Sequence, residues 1–220
     1  MNIKTAIFDM DGTLVDSLML WDILWTIFGE KYLEDPNFRP TTADDKKVRT
    51  LTLKDAMQLI HEHYSLGASG RELLDHANAL MIDFYSNKVT LKDGVRDYLV
   101  YLKNRGVNLC VVSATAPDLV NLALEHCGIE GYFSKLFSCT EIGKGKEFPD
   151  AFLLACNYFG GNIEETWVFE DSVVALETAG KIGMPTVGIY DQYNYGQDRI
   201  REITTQYIAQ GESLLKLVEA

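Results

Sequence analysis

The chain has 220 residues, with 20 basic and 32 acidic side chains and a formal net charge of −12 at pH 7. Hydrophobic residues make up 47% of it and charged residues 24%, which supplies a packed core and excludes a disordered chain. The acidic balance argues against a nucleic-acid partner, because backbone phosphates are held by clustered Lys and Arg.

The hydrophobic period changes in an ordered way along the chain. Residues 3–8 read as a short apolar strand that stops abruptly at Asp9-Met10-Asp11-Gly12-Thr13. From Ser17 to about Ser86 the pattern is helical, with segments at 18–28, 52–64 and 71–85 joined by polar or proline-containing stretches. The apolar run 18–28 is broken by Asp22 and Thr26 and is shorter than the roughly 20 residues that span a bilayer, so no membrane partner is expected. After Thr90 the pattern alternates. Helices are predicted at 94–104, 118–127, 150–159 and 173–181, and strands at 107–112, 136–139, 166–169 and 186–189. A short strand near Tyr207 and Ile208 and a last helix follow.

Strands alternating with amphipathic helices imply right-handed crossovers and a parallel sheet covered on both faces, an α/β fold. The helical stretch interrupts that alternation straight after the first strand and reads as an inserted domain. The predicted organisation is therefore a core of residues 1–15 and 90–220 with an all-helical domain at 16–89. Cys110, Cys127, Cys139 and Cys156 are far apart and form no Cys-x-x-Cys pair, so they read as reduced, mostly buried thiols. Met1-Asn2-Ile3-Lys4 has none of the features of a signal peptide, and a cytoplasmic location is expected for a monomer or small homo-oligomer.

In an open parallel sheet, ligands bind beyond the carboxyl ends of the strands. Asp9 and Asp11 follow the first predicted strand, Ser113 follows 107–112, and Glu170 and Asp171 follow 166–169. Lys146 falls in the loop after 136–139. Singly, each acid is an ordinary helix N-cap and the lysine an ordinary surface group. Jointly they set carboxylates, a hydroxyl and an ammonium on one rim. Clustered carboxylates repel unless a cation sits between them, and Mg²⁺ pairs carboxylates with substrate phosphates. The pattern suits phosphoryl transfer. Asp9 would attack phosphorus, Asp11 would protonate the leaving oxygen and then deprotonate water, and Gly12 would permit a sharp turn at the phosphate.

The segment from Asp9 to Ser17, Asp-Met-Asp-Gly-Thr-Leu-Val-Asp-Ser, resembles the first motif of the haloacid dehalogenase superfamily. Ser113, Lys146-Glu147-Phe148-Pro149-Asp150 and Phe169-Glu170-Asp171-Ser172 resemble the second, third and fourth motifs, in order. The resemblance is to the phosphoglycolate phosphatase and β-phosphoglucomutase branch. It implies a doubly wound, Rossmann-like core with a helical cap, and a Mg²⁺-dependent phosphatase of a small phosphorylated metabolite working through an aspartyl-phosphate. It makes Asp9 the nucleophile and a metal ligand, and Asp11 the acid/base with its carbonyl on the metal. Asp11, Ser113 and Lys146 would surround the phosphate. Asp171 would complete the metal site, with Glu170 acting through water.

Glu147 stands where the family usually has proline, and Ala175 where glycine is common. Dehalogenases of the superfamily lack the second aspartate, which is present here as Asp11. A phosphosugar mutase would carry a cap histidine and a cap arginine where this chain has Trp21 and Leu53, so the resemblance favours hydrolysis. A phospho-accepting regulatory module is the alternative from another class, and Asp11 and the insertion stand against it. Trp21, Leu53 and Lys54 are the cap candidates for substrate contact, the last two as loop residues. His61 and His63 read as solvated, and Lys46, Lys47 and Arg49 as a solvated turn.

Overall fold

The computed structural model describes residues 2–49 and 51–218. In chain order its elements are β1 (Thr5–Phe8), β2 (Val15–Asp16), α1 (Leu20–Leu33), α2 (Thr42–Val48), α3 (Leu53–Tyr64), α4 (Gly70–Asn87), β3 (Thr90–Leu91), α5 (Val95–Asn104) and β4 (Asn108–Ser113). There follow α6 (Pro117–His126), β5 (Lys135–Ser138), α7 (Cys139–Ile142), α8 (Asp150–Tyr158), β6 (Thr166–Glu170), α9 (Val173–Lys181), β7 (Thr186–Ile189), α10 (Gln197–Ile203) and β8 (Gln206–Ile208). They fall into two compact units, Met1–Leu18 with Lys88–Ala220, and Met19–Asn87.

The first unit is α/β. Among the described residues its sheet has six parallel strands in the order β5-β4-β1-β6-β7-β8. Successive strand residues face opposite sides, and here both sides are buried. Ile7 and Val168 join Cys110 and Val112 in a cluster with Phe152 and Ala155 of α8 and with Ala175 and Ala179 of α9. Phe8 and Phe169, one residue on in each strand, stack with ring centroids 4.3 Å apart, and Tyr98 of α5 lies 5.8 Å from Phe169. That is why these strands read as unbroken apolar runs. All four cysteines are free and buried.

The strand order runs outward from β1 in two directions, through β4 to β5 and through β6 to β8. The crossovers diverge there, which leaves a crevice at the carboxyl end of β1 between those of β4 and β6. Residues 9, 113 and 170 stand at those three ends. Where the chain leaves this unit and returns to it, β2 and β3 pair antiparallel, Val15 opposite Leu91 and Asp16 opposite Thr90.

The second unit is helical. Leu24, Trp25 and Phe28 of α1 recur at the spacing of one helix face and pack with Met57 and Ile60 of α3 and Leu73 and Ala77 of α4. Asp45 is buried among them and accepts hydrogen bonds from Trp25 Nε1 at 3.0 Å and from Arg49 Nε at 2.8 Å.

Several elements differ from the sequence expectation. The basic stretch 46–49 is not a turn, although Lys46 and Lys47 are exposed. It closes α2, which the Thr41 hydroxyl opens by accepting from Asp44 N–H at 3.2 Å. Leu53 and Lys54 are not loop residues either, because the Thr52 hydroxyl caps α3 through Asp55 N–H at 3.2 Å and places both in its first turn. His61 is half-buried with Nδ1 2.7 Å from the Leu66 carbonyl, so a backbone contact replaces solvent. Cys139 begins α7 rather than ending a strand, since Ser138 caps that turn. The chain ends, within the described residues, in a 3-10 turn at Leu214–Val218.

Phe152 is fully buried beneath the sheet. Phe152→Ala is expected to cost about 3–5 kcal/mol of stability, read from urea unfolding followed by circular dichroism; a loss under 1 kcal/mol would contradict this packing.

Candidate active site

The site begins where the β1 ladder runs one residue past the strand. Asp9 N–H donates to the Phe169 carbonyl at 3.0 Å, which sets Asp9 beside Glu170. The chain then turns back, with the N–H groups of Leu14 and Val15 donating to the Met10 carbonyl at 2.9 and 3.1 Å. Gly12 in this turn has φ +76°, and a Cβ there would collide with the Asp171 carboxylate. Glycine is required by backbone conformation and by space together.

Asp9, Glu170 and Asp171 are all buried and each offers a carboxylate oxygen within 4.8 Å of the others. Lys146, from the loop between α7 and α8, donates to Asp9 and to Glu170, the latter at 2.6 Å. Glu170 Oε2 also accepts the N–H groups of Asp171 and Ser172 at 3.0 and 2.9 Å, tying strand β6 to the start of α9. One ammonium against three carboxylates leaves the cluster short of positive charge.

The titration behaviour follows from that imbalance. Burial pushes the Asp9 carboxyl up from its ordinary 3.8 to about 8, against the pull of Lys146 and with the push of Glu170 and Asp11. Asp171 is raised well above its ordinary value by burial and by the charges of Glu170 and Asp9. Burial works against the charged form of Lys146, but the Asp9 and Glu170 carboxylates outweigh it and raise its pKa. Buried oxygens that are costly to ionise and close together fit a hard divalent cation, which would bind Asp9, Glu170 and Asp171.

Asp11 stands apart from that trio. Its two carboxylate oxygens accept from Ser17 Oγ at 2.6 Å and from Thr115 Oγ1 at 2.7 Å. Ser113, buried at the end of β4, accepts Thr115 N–H at 3.0 Å through its hydroxyl oxygen, leaving its O–H for an anion. Five residues expected at the site (Asp9, Asp11, Ser113, Glu170 and Asp171) thus lie at or just beyond neighbouring strand ends of one unit, and Lys146 reaches Asp9 and Glu170 from the loop between α7 and α8. Trp21, Leu53 and Lys54 belong to the other unit. There the Trp21 ring lies 5.6 Å from that of Trp25, with the Arg49 guanidinium 5.9 Å from it.

Five residues of the surroundings, Thr115, Asn194, Lys92, Asp16 and Asp191, went without a role in the sequence. Thr115 follows a strand end by two residues, a position open to notice. Asn194 donates from Nδ2 to the Asp171 carboxylate at 2.7 Å, and Lys92 bridges Asp16 and Asp191 at 2.8 Å each. Asp191 and Asn194 sit in the irregular stretch between β7 and α10, where no periodicity marks them.

The family model for haloacid dehalogenase-like hydrolases matches residues 3–183. The chain belongs to that hydrolase family. A phosphorylated carbohydrates phosphatase from Thermotoga maritima is 23% identical over 196 residues, covering 88% of each chain. A phosphoglycolate phosphatase from Psychrobacter arcticus is 26% identical over 211 residues, covering 92% of this chain and 90% of that one. In structure, β-phosphoglucomutase from Clostridium difficile superposes with a TM-score of 0.73 at 18% identity, over 99% of this chain and 96% of that one. That likeness establishes a shared fold. No helix among the described residues is long and apolar enough to cross a membrane.

An ionised carboxylate costs more in this cluster than in the unfolded chain, so removing one charge relieves the metal-free fold. Asp171→Asn is expected to melt above wild type in EDTA, by about 2–4 °C for each kcal/mol relieved. Mg²⁺ is expected to raise the melting temperature of wild type and to leave the variant nearly unmoved. Equal Mg²⁺ shifts in the two proteins would contradict the site.

Proposed function

We propose that this hydrolase is a Mg²⁺-dependent phosphatase that removes phosphate from a small phosphorylated metabolite, such as a sugar phosphate, through a phosphorylated Asp9. The observation that carries this reading is the buried trio of Asp9, Glu170 and Asp171 with Lys146 bridging two of its members, at the switch point of the sheet. Held by Asp9, Asp171 and, through water, Glu170, with the Asp11 carbonyl as a further ligand, Mg²⁺ would supply positive charge that offsets the repulsion between carboxylate and phosphate.

In this reading Asp9 is the nucleophile. Its oxygen forms a bond to phosphorus as the bond from phosphorus to the leaving oxygen breaks, and Asp11 gives that oxygen a proton. In the second half-reaction Asp11 takes a proton from water, water oxygen bonds to phosphorus, and the Asp9–phosphorus bond breaks. Ser17 and Thr115 fix the Asp11 carboxylate by one hydrogen bond to each oxygen, so it does not rotate between the two proton transfers. Lys146 and the Ser113 hydroxyl bind the phosphoryl oxygens and hold the charge that spreads over them.

The names of the relatives, phosphatases of phosphorylated carbohydrates and of phosphoglycolate, support a small substrate. We read the helical unit as a cap that excludes water and selects the leaving group, with Trp21, Leu53 and Lys54 as its contact candidates. A cytoplasmic location, as a monomer or small homo-oligomer, goes with this reading.

The test is phosphate release from phosphorylated sugars, glycolate, glycerol and nucleotides with Mg²⁺ or EDTA. Release is expected with Mg²⁺ alone and from one substrate group, and Asp9→Asn is expected to abolish it. Asp11→Asn is expected to slow poor leaving groups by about 10²–10⁴-fold and aryl phosphates less. Isomerised sugar phosphates without release would replace hydrolysis by mutase chemistry, and full activity of Asp9→Asn would overturn the nucleophile.

A further inference from the structure

Asp171 is the one member of the carboxylate trio that Lys146 does not touch among the contacts described. Its carboxylate is held by neutral groups instead. Thr13 Oγ1 donates to Oδ1 at 3.3 Å, and Asn194 Nδ2 donates both to Oδ2 at 2.7 Å and to the Asp171 backbone carbonyl at 2.8 Å. A neutral amide fixes the direction of a carboxylate without spending its negative charge, which a lysine at the same place would do. Each carboxylate oxygen keeps a second lone pair for a cation.

Asn194 is itself held on a stitched loop. Its Oδ1 accepts Tyr195 N–H at 2.8 Å, so the amide has a fixed orientation, and its own N–H donates to the Asp191 carbonyl at 3.2 Å. Asp191 is buried, with Oδ1 accepting Tyr193 N–H at 2.8 Å and its carbonyl accepting Gln197 Nε2 at 2.9 Å. The other oxygen of Asp191 accepts from Lys92 Nζ at 2.8 Å, and Lys92 also reaches Asp16 Oδ1 at 2.8 Å. Lys92 follows β3 directly, with its N–H donating to the Leu14 carbonyl at 3.0 Å. A buried Asp191 without a cation would add another uncompensated negative charge near Asp171, and its loop would have to open to let water in.

We propose that Asn194 is a positioning residue for the Asp171 carboxylate and that Lys92, through Asp191, fixes the loop that carries Asn194. The affinity of the trio for a divalent cation is then set by a chain of side chains that starts beside the β2–β3 pair. This rests on the metal-dependent phosphatase reading, and it deepens that reading by assigning metal affinity to residues outside the four sequence motifs. Partners that orient metal ligands in this way typically contribute about 10–100-fold in metal affinity.

The experiment titrates Mg²⁺, with no substrate present, into wild type, Asn194→Ala, Lys92→Met and Lys92→Arg, and follows binding by calorimetry and by melting temperature. Asn194→Ala is expected to weaken Mg²⁺ binding about tenfold or more. Lys92→Met is expected to weaken it in the same direction and Lys92→Arg to recover most of the loss. In turnover assays the defect is expected in the Mg²⁺ concentration needed for half-maximal rate, with most of the lost rate returning at saturating Mg²⁺. Asn194 lies on a half-buried surface loop, so its variant reports even where Lys92→Met does not fold. Wild-type binding with an unchanged affinity in Asn194→Ala would overturn this proposal and leave the phosphatase reading standing. Absence of Mg²⁺ binding and of phosphate release in wild type would remove the reading on which it rests.

Discussion

Three buried carboxylates crowded within 4.8 Å, with one lysine between two of them, form the constraint on which the rest of this structure depends. Such a cluster is unfavourable in a metal-free interior, where each ionised oxygen has lost water and faces its own kind. The fold tolerates it because the oxygens lie at the open ends of strands, and because backbone N–H groups, hydroxyls and an amide occupy part of their hydrogen-bonding capacity. Cation binding would convert that stored cost into affinity for metal and phosphate.

The sheet supplies the rigidity that the cluster needs. β1 lies in the middle, in register with β4 and β6, and both of its faces are buried, one of them against α8 and α9. Phe8 and Phe169 stack immediately before Asp9 and Glu170, so the last fully packed layer sits directly under the first polar one. Gly12 then lets the turn fold back against Asp171, a close approach that any side chain would prevent. Core packing and site geometry are thus consecutive residues of the same strands.

Much of this was legible in the sequence. The alternation after Thr90 announced the parallel sheet, because strands buried on both faces must read as unbroken apolar runs. Asp9, Asp11, Ser113, Lys146, Glu170 and Asp171 stood out because each follows such a run or its loop. What escaped were elements without a period. β2 and β3 are two residues each, α2 is a short helix in a polar connection, and Asp191 and Asn194 sit in an irregular loop. Lys92 and Asn194 are 102 positions apart in sequence, and only the closed fold brings their network to Asp171. Leu53 and Lys54 show the opposite failure: the helical period over 52–64 already contained them, and the resemblance that made them loop residues is overruled by the cap that Thr52 makes.

If Asp9 carries the phosphoryl group during turnover, chemical trapping will find it there. The enzyme would be mixed with Mg²⁺ and a phosphorylated substrate it hydrolyses, quenched in acid during the steady state, and reduced with borohydride, which converts an aspartyl-phosphate to homoserine. Tandem mass spectrometry is expected to find homoserine at position 9, absent when substrate is omitted. Unmodified Asp9 while phosphate is being released, or homoserine at another aspartate, would contradict the account.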